Sequence, residues 1–199
     1  MTGTGEMARA LAAGALAVVP TDTVYGLVCV ASSRESAHDL YRLKGRTEIQ
    51  PTAVIAASTD VLFERFPGLE EDAAADAVRI LLPGPFTLVV PNPGRRYGWL
   101  SAAHPDTIGV RVPDLDGPTA ALVRDVGMIV ATSANLPGGA DPRRLDQVPD
   151  EILAGVAFVV DGGELPGVPS TVIDLSGPVP SVLRVGAGDP DEALARLVA

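Results

Sequence analysis

Residues 15–30, A-L-A-V-V-P-T-D-T-V-Y-G-L-V-C-V, constrain this chain most. An apolar run from Ala15 to Val19 stops at Pro20, the polar cluster Thr21, Asp22 and Thr23 follows, and Val24, Tyr25 and Gly26 lead into a second apolar run, Leu27 to Val30. The order reads as a buried strand, a polar turn and the entry into another buried element. Three short oxygen-bearing side chains between two buried elements can position a ligand. The rest of the chain must then supply partners for such a pocket.

Composition bounds the answer. The chain has 199 residues, 47% of them hydrophobic, which suits one compact domain over 1–199. Aromatics are only 4%, so the core rests on Ala, Val, Leu and Ile. The 21 glycines and 18 prolines call for many short elements joined by tight turns. The net charge of -10 argues against broad nucleic-acid binding, while a local basic pocket remains open. Acidic residues at 70–76, 146–151 and 189–192 read as solvated faces. Cys29, the only cysteine, sits in an apolar run and reads as a core thiol. With a single cysteine, the distant pair His38 and His104 makes a poor zinc set. The first 14 residues lack the features of a signal peptide, and no apolar run is long enough to span a bilayer, so the expected location is cytoplasmic, without membrane attachment.

Helical patterns are read over 6–13, 34–44, 69–82, 116–127, 149–154 and from Asp189-Pro190 to about Val198. Ser32-x-x-Glu35 has capping-box spacing, and Gly45 ends the helix that follows. Strands are read at 52–57, 86–90, 107–112, 128–132, 156–160, 171–175 and 182–185. Residues 91–106 read as loop, with Trp99 and Leu100 filling a gap rather than holding a base. βα units mixed with hairpin-like pieces predict an α/β (mixed α+β) fold, a twisted mixed sheet flanked by helices.

Lys44 is the only lysine among fifteen basic residues. Lys44-x-Arg46 places a point charge beside a planar fork, a combination suited to polyphosphate, although at a helix C-terminus both could simply be partners of the dipole. Arg111 in G-V-R-V-P and Arg184 in V-L-R-V-G lie inside strand-like runs, where a charge either faces outward or lines a cleft. Ser133 and Asn135 follow a buried strand, where α/β sheets hold ligands, but both are also good turn formers. Ser170-Thr171 is equally open. No G-x-x-x-x-G-K-[ST], G-x-G-x-x-G or G-x-S-x-G word is present, which sets aside P-loop ATPases, dinucleotide-binding domains and α/β-hydrolases.

These words in order resemble one family. Pro20-Thr21-Asp22-Thr23-Val24-Tyr25-Gly26-Leu27, Lys44-Gly45-Arg46, Pro83-Gly84-Pro85-Phe86-Thr87, Gly109-Val110-Arg111-Val112-Pro113, Ser133-Ala134-Asn135, Pro169-Ser170-Thr171-Val172-Ile173-Asp174 and Leu183-Arg184-Val185-Gly186 are similar to the YrdC-like L-threonylcarbamoyladenylate synthases. The match spans almost the whole chain, which ends where single-domain members end. The resemblance implies a large concave, positively charged cavity. The implied substrates are L-threonine, bicarbonate or CO2, and ATP with Mg2+; the products are threonylcarbamoyl-AMP, destined for tRNA A37, and pyrophosphate. Transfer to tRNA falls to a separate tRNA threonylcarbamoyl transferase.

Carried over by motif, Lys44 and Arg46 are the catalytic pair that holds the phosphates and the carboxylate side of the reaction centre. Thr23 touches threonine or its carbamate, Tyr25 shapes the wall, and Thr87, Arg111 and Ser170 line the cavity. Ser133 and Asn135 sit near the nucleotide phosphates, and Arg184 meets the nucleotide end. Asp22 is a candidate metal or water ligand, with turn capping as the alternative. Three positions depart from the family pattern: Thr47 and Gln50 stand where it has proline and a second lysine, and Pro137 replaces the second serine of S-A-N-x-S-G. The alternative reading is a diverged member that binds nucleotide or RNA without making the product. A carbamoyl-transfer domain of a larger maturation enzyme is a third, opposed by the missing companion domains.

Overall fold

The computed structural model describes residues 3–45, 51–101 and 103–198. In chain order the elements are α1 (Thr4–Ala12), β1 (Ala17–Pro20), β2 (Tyr25–Val30), α2 (Arg34–Lys44), β3 (Ala53–Ala56), α3 (Thr59–Arg65), α4 (Pro67–Glu70), α5 (Ala74–Leu81), β4 (Phe86–Pro91), β5 (Thr107–Arg111), α6 (Gly117–Val126), β6 (Met128–Ser133), α7 (Asp150–Ala154), β7 (Phe158–Val159), β8 (Thr171–Asp174), β9 (Ser181–Arg184) and α8 (Pro190–Leu197). The strands form one mixed sheet of order β7-β1-β2-β6-β3-β5-β4-β8-β9. Pairs β1–β7, β3–β5 and β4–β8 are parallel and the others antiparallel. The α/β class and the mixed sheet flanked by helices are as the sequence predicts.

The opening stretch folds into the β1–β2 hairpin, Pro20 opposite Tyr25, with the polar cluster as its turn. The Thr21 hydroxyl donates to the Val24 carbonyl at 2.7 Å and accepts from the backbone N–H groups of Thr23 and Val24. Backbone groups that the ladder cannot reach are thereby satisfied.

Helix α2 starts one residue later than the capping-box spacing suggests. Its cap is Ser33, whose hydroxyl accepts from the Ser36 N–H. Gly45 ends it at φ 65°, a left-handed conformation that glycine adopts without steric cost. Its buried positions are Ser36, Ala37, Leu40, Tyr41 and Lys44, a single stripe at helical spacing. Lys44 therefore leaves α2 on its inward face.

Elsewhere the sequence reading needs three corrections. The helix read over 69–82 is two helices, because the Asp72 carboxylate accepts from the Ala74 N–H and restarts the chain there. Helix α3, capped by Ser58, lies in a stretch that carried no helix signal in the reading. The strand read over 156–160 shrinks to two residues. The three acidic groups do lie mostly on solvated faces, and Asp189 caps α8. Trp99 packs edge-on against Tyr97, and Leu100 is fully buried.

The sheet buries two apolar layers, as alternation along a strand requires. The larger holds Val18, Tyr25, Leu27, Cys29, Val54, Leu88, Val110 and Val130, with α2, α5 and α8 packed against it. Burial pushes the Cys29 thiol up to about 12, so it is an unreactive core group. The smaller layer holds Val28, Ile55 and Ile129 under α1 and α6. Further along the same face the side chains become small or polar: Gly26 on β2, Ala53 on β3, Gly109 on β5, and Ala131 and Ser133 on β6. There α1 and α6 no longer cover the sheet, and the face opens as a concave cavity.

Candidate active site

The cavity encloses about 890 Å³. Thr23, Lys44, Thr87, Arg111, Ser133, Asn135, Ser170 and Arg184 all line it. They come from the hairpin turn, the end of α2, four strands and two loops.

Lys44 is 6% exposed and forms the hub of one wall. Its ammonium donates to the Ser133 carbonyl at 2.5 Å, the Asn135 carbonyl at 2.9 Å and Asn135 Oδ1 at 2.6 Å. An ammonium has three N–H donors, and each has an acceptor here. Lys44 thus fixes the strand-end turn while its charge faces the cavity. Asn135 Oδ1 also accepts from the Ser133 hydroxyl at 2.8 Å, and its Nδ2 donates to the Gly139 carbonyl at 2.6 Å and Asp141 at 3.3 Å. Ser133 and Asn135 are turn formers and cavity residues at once, so the two sequence readings coexist.

The second wall joins β5 to the hairpin turn. Arg111 Nη2 donates to both carboxylate oxygens of Asp22, at 2.8 and 3.1 Å, each side chain being 11% exposed. The Thr23 hydroxyl lies 3.4 Å from the same carboxylate and 3.1 Å from Thr21 Oγ1, the two acceptors open to its proton. With both oxygens engaged by a guanidinium, Asp22 is poorly placed as a metal ligand. Among the described residues no cluster of three or more His, Cys, Asp or Glu could hold a metal. Among the described residues, His104 is the one histidine that lines the cavity.

The third wall is built on β4 and β9. The hydroxyls of Thr87 and Ser170 share a 2.8 Å hydrogen bond, and Arg184 donates to the Ser170 carbonyl at 2.8 and 3.1 Å and to its hydroxyl at 3.2 Å. Desolvation by burial lowers the Arg184 pKa; Asp141 opposes that shift and Arg111 adds to it. Arg111 and Arg184 therefore sense each other across the cavity, inside a protein of charge -10.

Tyr25 departs from expectation. It does not line the cavity: its ring is fully buried in the larger core layer. The hydroxyl donates to Asp161 Oδ1 or the Gly163 carbonyl, at 3.0 and 2.8 Å, and accepts from the Gly162 N–H at 2.9 Å. Alternation along β2 explains this, because Gly26 takes the cavity face. Burial raises the phenol's pKa. Arg46, Thr47 and Gln50 lie outside the described residues. Pro137 lines the cavity beside Asn135. The sequence reading missed Thr52, Ser101, His104, Thr107 and Asp141 as wall residues. Four of them are lone polar residues in connectors, which carry no periodic signal, and Thr107 is the first residue of β5, where a polar side chain reads equally as solvated.

The family model described as "Telomere recombination", Sua5_yciO_yrdC, matches residues 9–186. The human protein named threonylcarbamoyl-AMP synthase is 35% identical over 185 residues, which cover 84% of this chain and 61% of that protein. A Mycobacterium tuberculosis (strain H37Rv) protein is 34% identical over 178 residues, 89% of this chain and 81% of its own length. The crystal structure of Pyrococcus abyssi Sua5 complexed with L-threonine superposes with a TM-score of 0.81 at 29% identity, covering 98% of this chain and 58% of that one. The chain thus spans about three fifths of the human and P. abyssi proteins.

Proposed function

The chain belongs to the Sua5/YciO/YrdC family, and on that basis we propose that it is a nucleotidyltransferase, an L-threonylcarbamoyladenylate synthase. It combines L-threonine, CO2 derived from bicarbonate, and ATP into threonylcarbamoyl-AMP and pyrophosphate. The observation that carries this reading is the convergence of Thr23, Lys44, Arg111, Ser133, Asn135 and Arg184 on one cavity in an otherwise acidic protein. The name of the human relative and the complex of P. abyssi Sua5 with L-threonine support it.

The chemistry balances in two steps. The neutral amine of threonine forms a C–N bond to CO2 and loses a proton to solvent, giving a carbamate. A carbamate oxygen then bonds to the α-phosphorus of ATP as the bond to the bridging oxygen breaks, and pyrophosphate leaves. The carbamate is short-lived in water, so holding both partners in one cavity is the main device. No covalent enzyme intermediate is needed.

Lys44 contributes charge, with its ammonium fixed before substrate arrives, so little reorganisation accompanies charge transfer. Ser133 and Asn135 face the phosphates from the same wall. Thr23 and Arg111, joined through Asp22, face the amino acid and its carboxylate, and Arg184 with Ser170 and Thr87 faces the nucleotide. Arg46 joins Lys44 by motif. Mg2+ enters as part of the MgATP substrate. The product passes to a tRNA threonylcarbamoyl transferase, in the cytoplasm; no helix among the described residues is long and apolar enough to cross a membrane.

The test is pyrophosphate release from MgATP in bicarbonate buffer, with and without L-threonine, and the adenylate product identified by mass. Release is expected to need threonine and bicarbonate together. A folded, ATP-binding protein with no threonine-dependent release would overturn the reading in favour of a diverged nucleotide-binding member.

A further inference from the structure

Asp22 does not line the cavity; it lies behind two residues that do, Thr23 and Arg111. Its carboxylate takes both hydrogen bonds from Arg111 Nη2 and stands 3.4 Å from the Thr23 hydroxyl, whose single proton it shares with Thr21 Oγ1 at 3.1 Å. The turn that carries it is fixed by the Thr21 hydroxyl, which bonds on both sides of Thr23. Arg111 is 9% exposed, and its Nε is buried without a partner. Asp22 is thus the one hydrogen-bonding partner of that guanidinium among the described residues. Arg184 is a like charge that acts across the cavity, so Arg111 without Asp22 would be a buried cation facing a second cation.

We propose that Asp22 is a positioning residue. It holds the Arg111 guanidinium and the Thr23 hydroxyl in one fixed relation on the cavity wall, so that the two act together on a single anionic small molecule, a carboxylate-bearing amino acid. The identity of that molecule rests on the function proposed above; the positioning does not.

A two-part experiment separates these. The first part follows the Arg111 Nε–Hε signal by ¹⁵N-edited NMR, assigned by its loss in Arg111→Lys. In the unsubstituted protein it should be sharp and slow to exchange with water. In Asp22→Asn, which keeps the shape and removes the charge, exchange should speed up roughly tenfold or more, or the signal should broaden. Asp22→Glu, which restores the charge, should return part of the protection and covers the case of a poorly folding asparagine variant. The second part is kinetic. Asp22→Asn should raise the KM for L-threonine roughly tenfold or more and leave the KM for ATP within about twofold. In an Arg111→Gln background the same change should add much less, only the part of its effect that passes through Thr23.

An Arg111 signal indifferent to Asp22→Asn would overturn the proposal, whatever the substrate. So would equal losses for ATP and threonine, or full additivity with Arg111→Gln. If the unsubstituted protein ignores threonine, the function proposed above fails, and the NMR comparison still decides the role of Asp22.

Discussion

At the scale of single residues, Lys44 gathers the most consequences. The sequence offered two readings, phosphate ligand and dipole partner of α2. Its place on the buried stripe of α2 gives a third fact: its ammonium is tied to Ser133 and Asn135. Replacement by methionine keeps the stem and removes the charge. Three acceptors then lose a charged donor, Asn135 Oδ1 keeping only the Ser133 hydroxyl, so stability should fall by about 1–3 kcal/mol in denaturant titration, with the fold retained. Threonine-dependent pyrophosphate release should fall roughly a hundredfold or more, the usual range for a lost preorganised electrostatic group. A folded Lys44→Met protein with unchanged release would remove Lys44 from the mechanism. Tyr25 makes the opposite point. It sits in the same sequence word as Thr23 but faces the other layer, and ties the 161–163 segment to β2.

At the scale of elements, the cavity floor is a substitution pattern along strands. On β2, β3 and β6 the face that carries Val28, Ile55 and Ile129 under α1 and α6 carries Gly26, Ala53 and Ala131 in the cavity. Size at alternate positions decides whether that face is core or floor. Gly109 is the sharpest instance: a β-carbon there would lie 3.2 Å from Ala53 Cβ and 3.6 Å from Thr87 Cγ2. Gly109→Val should destabilise the protein by about 1–3 kcal/mol through crowding. Threonine-dependent turnover should also fall at least tenfold, roughly, because the added atoms occupy the floor. Normal turnover in a folded Gly109→Val variant, followed by the same pyrophosphate assay, would mean that substrates bind elsewhere. The helices were legible where caps and stripes agreed, as in α2. They were less so where an alanine-rich run concealed the break at Asp72, since helix propensity there is uniform and one side-chain hydrogen bond sets the boundary.

At the scale of the whole molecule, charge is distributed against the average. A net charge of -10 surrounds a cavity whose walls carry Lys44, Arg111 and Arg184 beside Asp106, Asp141 and Asp174, so the lining is balanced where the rest of the protein is acidic. Such a surface favours small anions that enter the cavity over an extended polyanion that must cover the outside. A gel-shift titration of unmodified tRNA at physiological salt should therefore show no retarded band at low micromolar protein. A tight, salt-sensitive complex would instead favour the RNA-binding alternative. The hairpin, α2 and its terminus, most strands and the seven-word family likeness are all legible in the sequence alone, because periodicity, caps and turn residues act between neighbours in the chain. The sequence also nominates most of the residues that line the cavity. Which of them meet is settled by the tertiary fold. Lys44 and the Ser133 carbonyl, like Asp22 and Arg111, are 89 residues apart in sequence. Their contact depends on strand order and register, and those follow from how the two faces of the sheet are buried rather than from any local pattern.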